Sequence, residues 1–391
     1  MTATAVMDGS AMTRTRDFDR SPMLVFWEST RACMLACRHC RASAIDCPMP
    51  GELDGKQAAS FVHALTGFGR PYPVLVVTGG DALMRTDLLS LVGRASAIGL
   101  PVAVAPSVTP RLTSEMLVAL KERGVKAVSI SLDGAGPETH EGIRMVEGHF
   151  EATIAALRLL RSHGFIVQVN TLVMRENVNE LPDIARIVKE LDASIWELFF
   201  LVQVGRGSIL EELSPAENED VCHFLFDASR YGFVVRTVEA PFFRRVVAWR
   251  KGDPPDADPR ARYELGPLYQ TLSARLQMLL GEHGSEPKAQ IKGTRDGKGI
   301  VFVSHDGEIF PAGFLPLSLG NVTSDSIVRV YRENALLKDI RATRFHGRCG
   351  ECEYADLCGG SRSRAFASSG DALGDDPACA YQPTMKGVRL T

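Results

Sequence analysis

The sequence lacks the features of several classes of protein. Its nine cysteines among 391 residues are too sparse, and odd in number, for a disulfide scaffold. No apolar run approaches the roughly 18 residues of a membrane span, and 44 basic against 47 acidic residues give no basic field for nucleic acid. The first residues contain no apolar stretch of signal-peptide length. We therefore predict a cytoplasmic protein without membrane or nucleic-acid partners, whose residues 1–22 are disordered.

Hydrophobic residues make up 45% of the chain, enough for a sizeable core. Between residues 23 and 203, short apolar runs alternate with stretches of helical period, as in repeated parallel β-α units. Six units are too few to close a full barrel, so we predict an α/β fold with an open (β/α)6 barrel; a doubly wound sheet is the alternative. The predicted strands span 24–27, 74–77, 102–105, 127–131, 166–171 and 195–202, and the helices 55–65, 86–98, 114–122, 150–162, 180–191 and 215–230.

The β-α rhythm ends near residue 232, and the remaining chain divides into two parts. Residues 250–266 are rich in proline and charge, which predicts a flexible linker within a bridging segment at 233–299. A helix at 267–280 follows, then a hairpin with strands at 300–303 and 308–310 and an Asp-Gly turn, and a helix at 327–340. We expect a barrel at 23–232, the bridging segment, and a C-terminal α+β domain at 300–391.

Three cysteines lie close together directly after the first predicted strand, where a β-α barrel places its chemistry. Cys33, Cys37 and Cys40 can hold three corners of an iron–sulfur cubane. A structural zinc site or a ferredoxin cluster would use four protein ligands, so three leave one iron open. The spacing resembles the CxxxCxxC motif of the radical S-adenosylmethionine enzymes. A zinc or redox loop is the alternative.

The resemblance implies a 4Fe–4S cluster whose open iron binds S-adenosylmethionine. Reduction of that cluster then cleaves the cofactor to a 5′-deoxyadenosyl radical. Other strand ends carry polar residues that resemble the family's motifs: the sequence TGGD stands where the family has Gly-Gly-Glu-Pro, and SLDG matches its Ser-Leu-Asp-Gly. The implied cofactor-binding residues are Thr78, Gly79, Gly80, Asp81, Ser107, Ser131, Asp133, Arg144 and Asn170.

A second cysteine group lies near the C-terminus and supplies four thiolates: Cys349, Cys352, Cys358 and Cys379. On the residues alone, a closed iron–sulfur cluster and a zinc site are equally good interpretations. Beside such a barrel, the pattern resembles the SPASM/twitch extension, which implies one auxiliary 4Fe–4S cluster. Cys47 and Cys222 have no fitting partners, and we interpret both as free thiols.

The cysteine-rich tail resembles the haem-synthesis branch of the same family, which acts on iron-porphyrin propionates. The resemblance implies oxidative C–H chemistry, such as decarboxylation of a porphyrin propionate, with an external one-electron reductant such as flavodoxin or ferredoxin. A maturase acting on a ribosomally made peptide is the enzymatic alternative, and an iron–sulfur or zinc binding protein is the non-enzymatic one. Arg206, Arg244 and Arg245 are candidates for substrate carboxylates, although surface arginines are the simpler interpretation.

Overall fold

A single curled sheet of nine strands organises the protein in the computed structural model, which describes residues 16–254, 257–290 and 293–384. The strand order is β7-β6-β5-β4-β3-β2-β1-β8-β9, and every neighbouring pair is parallel except β8 with β9. The two edge strands do not pair with each other, so the barrel stays open. The strands are β1 (Leu24–Glu28), β2 (Val74–Thr78), β3 (Val102–Val104), β4 (Ala127–Ser131), β5 (Ile166–Val173), β6 (Ile195–Phe200), β7 (Val234–Val238), β8 (Ile300–Val303) and β9 (Ile309–Phe310).

Helices connect the parallel strands and cover the outer face of the sheet. Those of the barrel begin at capping residues such as Asp54, Thr113 and Ser214, whose side chains accept backbone N–H groups of the first turn. The α-helices are Gly55–Ala64, Leu88–Ala97, Ser114–Glu122, Pro137–Arg144, His149–Ser162, Leu181–Glu190, Pro215–Ala228, Phe243–Arg250, Pro259–Tyr263, Pro267–Leu280, Ile327–Glu333, Ala335–Arg341, Gly347–Glu351 and Arg362–Ser369.

The two faces of the sheet differ in burial, because side chains alternate along each strand. On β6, Trp196, Leu198 and Phe200 are buried beneath the helices, whereas Glu197 and Phe199 are only half-buried. The half-buried positions line the lumen of the open barrel. A polar side chain at such a position is therefore available to a ligand.

The predicted α/β open barrel is confirmed, and the sheet is larger than six strands. Val234–Val238 forms a seventh parallel strand beside β6, in the segment that we predicted to be a bridge. The first hairpin strand, Ile300–Val303, pairs in parallel with β1, so it extends the same sheet. Arg236 interrupts the apolar run of β7, which hid this strand from the hydrophobic pattern.

Two segments that we predicted to be disordered or flexible are packed. Arg16 donates hydrogen bonds to the carbonyls of Pro71 and Tyr72, and Tyr331 Oη donates to Phe18 O at 2.7 Å. The prediction of disorder is therefore wrong for residues 16–22; residues 1–15 lie outside the described part. In the proline-rich segment, the Tyr263 ring stacks on Trp249 with centroids 5.5 Å apart, so the described residues of this segment are anchored.

The helix predicted at 327–340 is divided into two. Asn334 leaves the helical conformation and caps the second helix by accepting from Leu337 N–H. None of the helices within the described residues is long and apolar enough to cross a membrane.

Candidate active site

The loop that carries Cys33, Cys37 and Cys40 follows β1 at the carboxyl edge of the sheet, and the loop after β6 clamps it. Arg206 donates from Nε to Cys37 O at 2.9 Å and from Nη1 to Ala44 O at 2.8 Å. Gly205, with φ of 57°, approaches so closely that an added Cβ would lie 2.6 Å from Cys40 O. Arg206 therefore shapes the cysteine loop through two of its nitrogens, and its role toward a substrate carboxylate stays a prediction.

Each of the three sulfur atoms accepts an N–H group. Leu35 N lies 3.3 Å from Cys33 Sγ and Ala44 N lies 3.4 Å from Cys40 Sγ. Arg144 Nη1 lies 3.7 Å from Cys37 Sγ. Hydrogen bonds to cysteine sulfur stabilise thiolates and set cluster potentials, so these surroundings fit cluster ligands.

The donor set also fits a cluster better than a single ion. Among the residues that the structure describes, no three His, Cys, Asp or Glu side chains surround one position for a metal ion. A zinc site needs its ligands around one ion, whereas a cubane spreads its cysteines over separate irons. Three thiolates on this loop therefore suit a 4Fe–4S cluster with one open iron.

The two glycines after β2 let their loop pack directly on the loop after β1. Gly80 N donates to Thr30 O and Asp81 N donates to Ala32 O, both at 2.7 Å. A Cβ on Gly79 would lie 2.6 Å from Thr30 O, so a side chain at this position is excluded. Thr78, the last residue of β2, pairs with Glu28 of β1. This loop thus lies beside the cysteines, as the sequence predicted.

Asp81 is fully buried, and its carboxylate already accepts three hydrogen bonds. The donors are Leu83 N at 3.0 Å, Ser107 N at 3.2 Å and Thr109 Oγ1 at 2.9 Å. Burial raises the pKa of Asp81, and these hydrogen bonds oppose that rise. The side chain joins the ends of β2 and β3. Ser107 Oγ in turn donates to Gly80 O at 3.2 Å and lies 3.7 Å from Cys33 Sγ, so Ser107 borders the cluster site.

Asp133 and Arg144 form a buried ion pair in the loop after β4. Arg144 Nη2 lies 2.5 Å from Asp133 Oδ2, and Leu172 N donates to Asp133 Oδ1 at 2.8 Å. Burial alone would raise the pKa of Asp133, but the charge of Arg144 and the neighbouring histidines leave it below its ordinary value. Arg144 therefore links this carboxylate to the sulfur of Cys37.

Two buried histidines fix this loop, and sequence reasoning missed both. Asp133 N donates to His140 Nδ1 at 3.1 Å, so His140 carries its proton on Nε2. That nitrogen lies 2.8 Å from His149 Nδ1, and His149 Nε2 donates to Val108 O at 3.1 Å. Burial lowers the pKa of His140 to about 3. The neutral pair connects the strand ends of β3 and β4, and no local motif marks it.

Ser131 and Asn170 are paired in register on the inner face of β4 and β5. Gln168 Nε2 donates to Asn170 Oδ1 and to Glu197 Oε2, each at 2.8 Å. Burial raises the pKa of Glu197. Glu197 was not predicted, although a carboxylate inside the apolar run of β6 was its sequence signal. The lumen therefore has a polar inner wall beyond the predicted cofactor residues.

An aromatic wall lies on the other side of the lumen, where the hairpin meets the barrel. The guanidinium carbon of Arg41 lies 4.6 Å from the centroid of Phe302 and 6.0 Å from that of Phe314. Phe314 in turn contacts Phe199 of β6, with centroids 6.5 Å apart. Arg41 is paired with buried Glu28. These three rings form the apolar side of the lumen.

The second cysteine group lines one cavity, and all four thiols border it. Gly360 N donates to Cys358 Sγ at 3.4 Å, and Arg362 Nη2 donates to Cys349 Sγ at 3.6 Å. Burial raises the pKa of Cys358 to about 12 and that of Cys379 to about 11. The structure thus brings together the four sequence-predicted ligands, Cys349, Cys352, Cys358 and Cys379.

Arginines beside this cavity have partners within the protein. Arg245 pairs with Glu219 through two hydrogen bonds of 2.8 and 2.7 Å, and lies between the rings of Trp249 and Tyr381. Arg244 donates to backbone carbonyls. Neither is available for a substrate carboxylate, so that suggestion is wrong for both. Cys47 is exposed, whereas Cys222 is buried. Burial raises the pKa of the Cys222 thiol, which lies close enough to Cys358 and Cys379 for their charges to add to that rise.

Comparisons with known proteins agree with this geometry. Residues 27–188 match the model of the Radical SAM superfamily. The chain is 32% identical over 368 residues to the AdoMet-dependent heme synthase of Methanosarcina barkeri, covering 94% of this chain and 98% of that protein. It is 33% identical over 374 residues to the AdoMet-dependent heme synthase of Oleidesulfovibrio alaskensis, covering 94% and 90%.

The fold has a counterpart among solved structures. The crystal structure of Streptococcus suis SuiB bound to precursor peptide SuiA matches 93% of this chain and 76% of SuiB, with a TM-score of 0.67 and 12% identity. At that identity the likeness concerns the fold alone. The two relatives above establish the family: the chain belongs to the radical S-adenosylmethionine superfamily, whose members are enzymes that use a 4Fe–4S cluster and S-adenosylmethionine.

Proposed function

We propose that this enzyme decarboxylates propionate side chains of an iron porphyrin to vinyl groups in haem biosynthesis. The observation that carries the proposal is the 32% identity to an AdoMet-dependent heme synthase across 98% of that protein's length. A relationship over the full length includes the cysteine-rich tail as well as the barrel. Similarity in the barrel alone would support only the shared cofactor chemistry.

The barrel residues provide for the cofactor. Cys33, Cys37 and Cys40 would hold the cluster, and the cofactor would lie across the strand ends at Gly79, Gly80, Ser107, Ser131, Asp133, Arg144 and Asn170. When bound, the cluster and S-adenosylmethionine supply a 5′-deoxyadenosyl radical. Because Asp81 already accepts three hydrogen bonds, we assign it to positioning the Gly79-Gly80 loop rather than to direct recognition.

The lumen offers surfaces that suit a porphyrin. The half-buried rings of Phe199 and Phe314 present an apolar surface for a flat macrocycle, since aromatic rings favour offset stacking, while Phe302 is buried beside them. Arg41 lies against the same wall, but its pairing with Glu28 neutralises its charge. A macrocycle resting on the rings would direct its propionates toward the polar inner wall of the sheet.

Decarboxylation requires an electron acceptor. Removing one hydrogen atom from the carbon next to the ring, followed by loss of the carboxylate as CO2, forms the vinyl double bond and releases one electron. We assign its acceptance to one auxiliary 4Fe–4S cluster held by Cys349, Cys352, Cys358 and Cys379, within the C-terminal unit at 300–391. An external flavodoxin or ferredoxin would supply the electron for cofactor cleavage.

The test is turnover of iron-coproporphyrin III by the anaerobically reconstituted protein with S-adenosylmethionine and a one-electron reductant. We expect one CO2 and one 5′-deoxyadenosine for each propionate lost, and therefore two of each for every haem formed. If 5′-deoxyadenosine forms without any change in porphyrin mass, the proposal is wrong. Cross-linking of a ribosomal peptide under the same conditions would instead assign the enzyme to the peptide maturases.

A further inference from the structure

One register row of the sheet carries four polar side chains across the inner face of the barrel. Ser131 pairs with Asn170, Asn170 with Glu197, and Glu197 with Arg236. Neighbouring residues in parallel register lie on the same face of a sheet. Arg236 of β7 is therefore at the same level of the lumen as the predicted cofactor residues Ser131 and Asn170, two strands further around the open barrel.

The Arg236 guanidinium is not satisfied by contacts within the protein. Its Nε is buried and has no hydrogen-bond partner among the described residues. Glu197, its register neighbour, accepts a hydrogen bond from Gln168, and Arg236 affects that carboxylate through its charge rather than through a hydrogen bond. A half-buried cation without a close partner is costly. Its position therefore favours an anionic ligand.

The surroundings of Arg236 indicate which kind of anion. Phe199 follows Glu197 on the same face of β6 and pairs with Val238, two positions beyond Arg236 on β7. Phe199 also contacts Phe314 of the aromatic wall. A ligand resting on these rings would thus extend its side chains toward a guanidinium. Flat aromatic surface beside an unpaired arginine suits an aromatic macrocycle that carries carboxylates.

Two other arginines that border the lumen are paired with carboxylates. Arg41 is paired with Glu28 and stacked on Phe302, and Arg144 is paired with Asp133 and contacts Cys37. The Nε of Arg144 also lacks a hydrogen-bond partner. Arg236 differs from both because, among the described residues, its guanidinium forms no ion pair with a carboxylate and influences Glu197 only through its charge.

We propose that Arg236, which lies on the wall of the lumen formed by β6 and β7, binds a propionate carboxylate of the porphyrin substrate. The proposal rests on the proposed function and adds to it a specificity-determining residue. Bidentate recognition of one propionate fixes the rotation of the macrocycle about its own axis. The macrocycle is then oriented so that a different propionate lies near the cofactor.

The experiment measures binding without turnover. Absorption titration of the anaerobically reconstituted protein with iron-coproporphyrin III gives the Kd for the parent, for Arg236→Gln and for Arg236→Lys. Losing a charged hydrogen-bond pair is expected to weaken binding by about ten- to a hundredfold in the Gln variant. The Lys variant should retain part of the affinity, because its charge remains without the bidentate geometry.

Two controls test whether the loss of affinity comes from pairing between Arg236 and a substrate carboxylate. Arg158→Gln removes an exposed arginine from the outer helix His149–Ser162 and should leave the Kd unchanged. The tetramethyl ester of the same porphyrin should bind the parent and Arg236→Gln equally weakly, because it has no carboxylate to pair. Circular dichroism and thermal melting establish that each variant is folded.

The outcomes separate this inference from the proposed function. If the folded Arg236→Gln variant binds iron-coproporphyrin III as tightly as the parent, the inference is wrong and the decarboxylase proposal stands. If calorimetry shows that Arg236→Gln weakens the binding of S-adenosylmethionine and leaves porphyrin binding intact, Arg236 belongs to the cofactor site and the inference is overturned. If the parent itself binds no porphyrin, the proposed function fails together with the inference.

Discussion

The Arg144 guanidinium lies 3.7 Å from the sulfur of Cys37, although 107 positions separate the two residues along the chain. The same guanidinium pairs with buried Asp133 at 2.5 Å. One cation thus faces the sulfur of Cys37 on one side and a carboxylate on the other. The loop after β4 is thereby connected electrostatically to the loop after β1.

This arrangement predicts strong coupling between the two charged residues. Arg144→Met leaves the Asp133 carboxylate buried without its partner, which we expect to lower the free energy of unfolding by about 3–5 kcal/mol. Adding Asp133→Asn should restore part of that loss, because the uncompensated charge is removed. Denaturant melts of both single variants and the double variant measure the coupling. Additive losses would show that the pair does not act as a unit.

Asp81 provides a second test, because its contacts differ from the role implied by the family's motif. Asp81→Ala removes the acceptor of three hydrogen bonds and should lower the free energy of unfolding by about 1–3 kcal/mol. Asp81→Asn retains one acceptor oxygen and should lose less. Asp46→Ala, at an exposed position, is the matched control.

Calorimetry with S-adenosylmethionine completes the Asp81 test. If the Gly79-Gly80 backbone holds the cofactor, folded Asp81→Asn should bind it with nearly the affinity of the parent. A large loss of affinity for S-adenosylmethionine, without a loss in the free energy of unfolding, would show that Asp81 contacts the cofactor directly.

Much of the barrel and the two groups of cysteines could be predicted from the sequence, because their signals are local. The helices Ser114–Glu122 and Pro267–Leu280 have the predicted bounds, since capping and periodicity are read along the chain. The cysteine spacing was equally visible. In contrast, the contact of His149 with Val108 joins two strand ends and exists only in the folded chain. β7 was missed because Arg236, which faces the lumen, breaks its apolar run.

The buried histidine pair predicts a pH dependence of stability. Burial lowers the pKa of His140 to about 3, whereas the unfolded chain titrates near 6.5. Between these values the unfolded state binds a proton that the folded state does not. The contribution of His140 to the free energy of unfolding is therefore fully present above pH 6.5. It is lost as the pH falls toward 3, by about 1.4 kcal/mol per pH unit.

Unfolding free energies between pH 7 and pH 5 check this dependence. His140→Asn keeps an acceptor for the Asp133 amide but does not titrate, so it should show a shallower slope than the parent. His63→Asn, at an exposed position on the helix Gly55–Ala64, controls for losing a histidine. Equal slopes for the parent and His140→Asn would contradict the assignment of a neutral buried pair.

The tail cysteines predict uncoupling of cofactor cleavage from product formation. Cys352→Ala removes one ligand of the proposed auxiliary cluster and leaves Cys33, Cys37 and Cys40 intact. The variant should still cleave S-adenosylmethionine, but the electron released on decarboxylation would lose its acceptor. Product should therefore fall at least tenfold more than 5′-deoxyadenosine. Cys47→Ala, which removes an exposed thiol, should change neither quantity.

Because metal binding and folding are coupled, iron content and thermal melting must accompany the assay. A folded Cys352→Ala protein that lacks the tail cluster and turns over at the parent rate would refute the electron-acceptor role. Zinc in the tail of a fully active parent would refute it too.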